Sequence, residues 1–171
     1  MQRLFVTATS IALLGFAGTA LAHDDLDTRL KGYQEVPAVS STAVGRFKAT
    51  FDKASNSIHY EVSYSGLEGD VRQSHIHFGQ RGVSGGISLW LCQTATNPSP
   101  TPAATPVCPQ SGTVTGVLTS ASVIGPAGQG IAVGEFAEIL AAIRAGIAYV
   151  NVHSSKFPGG EIRGQLRGDD D

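Results

Sequence analysis

The chain has 171 residues, a formal net charge of −2, and 42% hydrophobic against 15% charged residues. That length gives one domain with an ordinary hydrophobic core. Without a basic stripe a nucleic-acid partner is excluded, and the only charge run, Asp169-Asp170-Asp171, reads as a solvated tail over 169–171.

The sequence opens Met1-Gln2-Arg3, runs apolar from Leu4 to Phe16 and reaches Ala20-Leu21-Ala22. A positive start, a short apolar core and an Ala-x-Ala site predict a secretory signal peptide over 1–22. The apolar run is too short to span a bilayer and no second span follows, so the mature chain is expected in the periplasm or outside the cell, with no membrane span. Cleavage after Ala22 leaves His23 first, where a free amine beside an imidazole makes a bidentate copper chelate as a subsidiary possibility.

Leu26 to Leu30 reads as a first strand, and Gly32 to Pro37 as an extended segment ended by the proline. Gly45 to Phe51 and Ser57 to Tyr64 alternate on either side of a polar turn and predict a β-hairpin with Ile58, Tyr60, Val62 and Tyr64 on the buried face. His59 falls on the opposite face and reads as a surface residue. Val71 to Phe78 is the next strand, followed by a glycine-rich loop and the strand Ile87 to Leu91. The loop's glycines lack the spacing of a phosphate cradle and no helix follows them, so a nucleotide site is not indicated.

Cys92 and Cys108 are the whole cysteine complement. In an oxidising compartment the two are expected to pair, with two separate buried thiols as the alternative. The Pro- and Thr-rich stretch between them, 93–107, reads as an irregular loop because Pro98, Pro100, Pro102 and Pro106 deny it a ladder. Gly112 to Thr119 is a further strand. Phe136, Ile139, Leu140 and Ile143 recur at helical spacing within Val133 to Gly146, with Glu135 and Glu138 early, Arg144 late and Gly146 placed to end the helix. Tyr149 to His153 and Ile162 to Leu166 are the last strands, joined through a turn at Pro158-Gly159-Gly160. About eight short strands and one helix predict an all-β fold, an antiparallel sandwich or barrel.

The chemistry concentrates in Ser74-His75-Ile76-His77-Phe78 and Tyr149-Val150-Asn151-Val152-His153. Alternation puts His75 and His77 on one strand face, and Tyr149, Asn151 and His153 together on one face of the other. If the two strands are neighbours, His75, His77 and His153 converge, and a three-imidazole patch suits copper or zinc. The competing reading makes them hydrogen-bonded structural residues that orient loops.

These motifs resemble the CHRD domain. The carriers are Gly32-Tyr33-Gln34-Glu35-Val36-Pro37, His75-Ile76-His77-Phe78-Gly79, Ala145 to His153, and Phe157-Pro158-Gly159-Gly160-Glu161-Ile162-Arg163-Gly164-Gln165-Leu166, in the family's order. The resemblance implies a domain over 23–168 with an immunoglobulin-like or related β-sandwich, into which the 93–107 loop is inserted. The His75-x-His77-x-Gly79 run also looks like the copper-ligand strand of Cu/Zn superoxide dismutases, with Arg163 in place of their anion-guiding arginine. The further ligands of a bridged copper–zinc site are absent from the sequence. Three functions follow as expectations. The first is an exported, non-enzymatic module holding a transition metal, copper favoured, with ligands His75, His77 and His153 and with Asn151, Glu161 and Arg163 orienting the imidazoles. The second is a metal-dependent redox enzyme. The third is a structural or adhesive domain for an extracytoplasmic protein partner. No catalytic residue is assigned, since no serine lies in a nucleophile-elbow context and no carboxylates pair as in glycosidases.

Overall fold

The computed structural model describes residues 25–167; the signal peptide expected over 1–22, His23 and the 169–171 tail lie outside them. The strands are β1 (Asp25–Lys31), β2 (Val44–Asp52), β3 (Ser57–Ser65), β4 (Val71–Phe78), β5 (Gly86–Cys92), β6 (Gly112–Leu118), β7 (Ala148–Ser154) and β8 (Ile162–Leu166), with one α-helix, α1 (Phe136–Arg144), before β7. All eight join in one antiparallel sheet ordered β5-β4-β7-β8-β1-β2-β3-β6. The end strands β5 and β6 touch, which makes the sheet nearly barrel-shaped.

The alternation read from the sequence sets the core. Phe47, Ile58, Tyr60, Val62 and Tyr64 from the β2–β3 hairpin face Ile76, Leu89, Leu91, Val150 and Val152 from β4, β5 and β7 in one buried cluster. His59, between two core residues, is exposed as its parity requires. Asp52 holds the hairpin turn by accepting from the Ala54 amide at 2.8 Å, and Asn56 takes a positive φ of 50°, both habits of turn residues.

Helix α1 buries the expected stripe of Phe136, Ile139, Leu140 and Ile143. It starts later than Val133 because Gly134 sits at φ 86°, outside helical space. It ends at Gly146 (φ 68°), where the Gly146 amide donates to the Ile143 carbonyl and the Ile147 amide to the Ala142 carbonyl, a Schellman pairing that satisfies the last carbonyls. None of the helices among the described residues is long and apolar enough to cross a membrane.

The segment after β1 departs from the extended expectation. Gly32–Gln34 forms a 3-10 turn, and the amides of Glu35 and Val39 both donate to the Gly32 carbonyl. A Cβ at Gly32 would lie 2.4 Å from the Val39 oxygen, so the reversal needs glycine there. Its effect is to carry Glu35 back over the sheet, where it is buried.

Cys92 and Cys108 form a disulfide with a Cα–Cα separation of 5.0 Å. The loop between them is organised around buried Gln93, whose side-chain Nε2 donates to the Thr105 carbonyl at 2.7 Å and whose Oε1 accepts from the Ser99 amide at 2.9 Å. With 16 residues of separation, the crosslink contributes about 3 kcal/mol by restricting the unfolded chain. Urea unfolding of the Cys92→Ser/Cys108→Ser protein is expected to show that loss; a change below about 1 kcal/mol would mean the hydrogen bonds around Gln93 hold the loop without the crosslink.

Candidate metal centre

Strands β4 and β7 are direct neighbours, with His75 opposite Asn151 and His77 opposite Tyr149. The same register puts His153 opposite Gln73, and it shifts only beyond that pair, between Gln73 and Val71. On the other side of β7, Asn151 faces Arg163 and Tyr149 faces Gln165 of β8. Two polar rows therefore cross the sheet on the face turned away from Ile76, Val150 and Val152.

That face is buried as well. His75 is 0% exposed and His77 and His153 are 6% exposed each. The 79–85 loop between β4 and β5 helps cover them: the Ser84 hydroxyl donates to the Val36 carbonyl, and a Cβ on Gly85 would lie 1.7 Å from the Phe78 carbonyl oxygen. Only glycine lets the loop close that tightly. The patch expected from the sequence is thus a sealed cluster, not an open surface.

One nitrogen from each of His75, His77 and His153 lies within 4.8 Å of the others, the only such group among the described residues. Carbonyl oxygens settle two of the tautomers. The Nδ1 of His77 is 2.9 Å from the Gly85 oxygen, and the Nδ1 of His153 is 2.9 Å from the Pro158 oxygen. A carbonyl only accepts, so each Nδ1 carries the proton and each Nε2 carries a lone pair. His75 Nδ1 lies 3.2 Å from His153 Nε2, within hydrogen-bond distance of that lone pair. The Nε2 atoms of His75 and His77 are buried without a hydrogen-bond partner. Buried ring nitrogens are ordinarily paired, so two orphans in one cluster call for an explanation.

Burial holds all three imidazoles neutral. It is the first cause of the depressed value at His75, where the neighbouring His153 and His77 push the same way. It brings His77 down to about 4, against the opposing pull of the Gly85 carbonyl, and it lowers His153 against the Pro158 carbonyl. Neutral imidazole is the ligating form.

The surrounding residues divide by what they touch. Asn151 Oδ1 lies 3.0 Å from His153 Nε2. Arg163 contacts no imidazole. It stacks with Cζ 3.4 Å from the Tyr149 ring centroid, and that ring lies parallel to His77 (4°) at 4.7 Å. The Arg163 guanidinium reaches the cluster only through Tyr149, while its Nη2 donates to the Gln80 and Val83 carbonyls of the covering loop at 3.1 and 3.0 Å. Glu161 stands elsewhere: its Oε1 accepts from the Ser41 hydroxyl and the Glu68 amide, and its Oε2 has no partner. Through Oε1 its carboxylate ties the 41 and 68 loops together, and neither of those bonds goes to an imidazole.

Three participants carried no role in the sequence reading. Tyr149 shares the face of Asn151 and His153 by parity, and that was its one available signal. Trp90 packs edge-on to His75 at 4.3 Å from the neighbouring strand. Glu35 arrives through the 3-10 reversal. Its carboxyl is pushed up to about 7 by burial, against the pull of Arg163 and of a hydrogen bond from Asn151.

A nearly closed antiparallel sheet that seals three imidazoles beneath a loop defines a β-domain with a buried histidine centre. The family model of the CHRD domain matches residues 26–166, nearly the whole described chain, and the protein belongs to that family. No curated protein and no solved structure matches the chain.

Proposed function

We propose that this CHRD domain is an exported binding module that holds one transition-metal ion, copper favoured over zinc, through His75, His77 and His153. The observation that carries the reading is a buried cluster in which the Nε2 atoms of His75 and His77 have no hydrogen-bond partner, while the Nδ1–H groups of His77 and His153 are anchored on the Gly85 and Pro158 carbonyls and leave the Nε2 of each with a lone pair. Metal-binding imidazoles are oriented in this way by carbonyl partners on the far nitrogen. Neutral nitrogen donors suit copper and zinc and do not suit magnesium or calcium, which take oxygen. A purely structural role for the cluster is disfavoured by the same two atoms, since loop-orienting histidines use both nitrogens.

Export is supported by the Cys92–Cys108 disulfide, which persists in oxidising compartments. A superoxide-dismutase-like or immunoglobulin-like sandwich is the architecture we propose for the curled sheet. Its halves, β5-β4-β7-β8 and β1-β2-β3-β6, are joined by the single residue pair Lys31–Arg163. Redox catalysis is the weaker reading, because the cluster lies buried with its covering loop hydrogen-bonded in place. An extracytoplasmic protein partner is compatible with the module.

Calorimetric titration of the metal-stripped protein with Cu(I), Cu(II) and Zn(II) tests the reading. One ion per chain is expected, with binding lost in His75→Ala/His77→Ala and weakened at least tenfold in His77→Gln. Absence of uptake by folded wild-type protein with all three ions would refute it.

A further inference from the structure

We infer that Asn151 is itself a ligand, its side-chain oxygen completing a four-donor, His3Asn site with His75, His77 and His153. The inference rests on the metal reading above and changes what that site is, from three donors with an open position to a filled shell.

One contact sets the donor count. His153 Nδ1 donates to the Pro158 carbonyl, so His153 Nε2 is a bare acceptor. Asn151 Oδ1 lies 3.0 Å from that nitrogen. An amide oxygen only accepts, so two acceptors face one another at hydrogen-bond distance with no proton between them. Turning the amide over would normally remove such a clash. Here the far end of the amide borders Glu35: Asn151 Nδ2 and Glu35 Oε1 both line the space beside Gly160, so Nδ2 lies toward Glu35 and Oδ1 toward the histidines. Glu35 is in turn fixed by its surroundings. Gly160 (φ 128°) backs onto both groups, and a Cβ there would lie 2.3 Å from Glu35 Oε1 and 2.8 Å from Asn151 Nδ2. Asn151 is 2% exposed.

Two lone pairs held 3 Å apart and aimed into a cluster with two further unpartnered nitrogens have the arrangement of donors sharing a cation. The 3.0 Å between Asn151 Oδ1 and His153 Nε2 is near the ~3.3 Å that separates two donors bound tetrahedrally at about 2.0–2.1 Å from one ion. An orienting role for Asn151 would instead place an N–H against the nitrogen lone pair. Glu35, reaching the site through the amide, is then a positioning residue.

Co(II) loading followed by azide titration separates the alternatives, because an anion enters a coordination shell only where a position is free. Wild-type Co(II) protein is expected to keep its visible spectrum on adding azide. Asn151→Leu is expected to bind Co(II) at least tenfold more weakly and to acquire an azide-dependent band. Asn151→Asp, which keeps an oxygen in place, is expected to retain Co(II) with a shifted spectrum and no azide response. An azide response in wild-type protein equal to that of Asn151→Leu would overturn the fourth ligand while leaving the three-histidine site standing. An Asn151→Asp spectrum identical to wild type would do the same, and it serves if the leucine variant does not fold. Failure of the wild type to take up Co(II), Cu(II) or Zn(II) would remove both proposals together.

Discussion

Arg163→Leu is expected to cost the domain about 3–5 kcal/mol, the range for removing one member of a buried charged network. Arg163 is 2% exposed, and burial, the largest influence on it, lowers its pKa against the opposing effects of Tyr149 and Glu35. Its removal would leave the Gln80 and Val83 carbonyls without their donor and the Glu35 carboxyl without its nearby positive charge. It would also uncover one face of Tyr149, whose other face packs on His77. Arg163→Lys should recover only part of the loss, since an ammonium can neither stack flat on the ring nor present a planar fork to two carbonyls. Urea unfolding measures both variants. A loss below about 1 kcal/mol for leucine would show that the loop and the ring stack stand without the guanidinium.

Acid should destabilise the metal-free protein in a defined window. An unfolded histidine protonates near pH 6.5, while His77 in the fold stays neutral down to about 4. Between those values the unfolded chain binds the extra proton, so stability falls as pH falls, by about 1.4 kcal/mol per pH unit and about 3 kcal/mol across the window from His77 alone. His75 and His153 are lowered for the same first reason, burial, and add in the same direction. Glu35 works from the other side. Its folded value of about 7 stands above 4.5, so the fold keeps a proton the unfolded chain has released, and stability drops as pH rises through that interval. The opposing slopes place the maximum near neutrality, at about pH 6–7. Thermal melts from pH 4 to 8.5 should trace that dome, with Glu35→Gln removing the fall above pH 6.5 and steepening the acid limb, because the Glu35 slope opposes the histidines between pH 4.5 and 6.5. Equal melting temperatures at pH 6.5 and 4.5 would contradict it.

The hairpin was legible because burial on one face imposes a period of two, which Ser57–Ser65 follows, whereas Val71–Phe78 is buried on both faces from Ser74 to His77 and shows its two sides only by residue type. The neighbouring of β4 and β7, on which the histidine cluster depends, is a long-range pairing and leaves no mark in either segment alone. Loop contributions were opaque for a different reason. Gly85 and Pro158 act through backbone carbonyls, which every residue possesses, so their identity signals only the turn and not the bond to His77 or His153. Glu35 is an ordinary acid in the sequence, and only the chain reversal at Gly32 makes it a buried neighbour of Asn151. Glu161, expected to orient an imidazole, spends its Oε1 on the Ser41 hydroxyl and the Glu68 amide, partners that only the folded loops bring to it.

The outer side of β5 bears on how the protein meets others. That strand pairs with β4 along one edge, and on the side left over the Gly86 amide is taken by Gln129, the Ser88 carbonyl by the Ile124 amide, and the Leu91 carbonyl by the Tyr60 hydroxyl. Three of the backbone groups by which an incoming strand would extend the sheet are already spent within the chain. Strand-by-strand polymerisation and peptide capture by strand addition are therefore closed to β5. A partner docking at this side has to read side chains and shape.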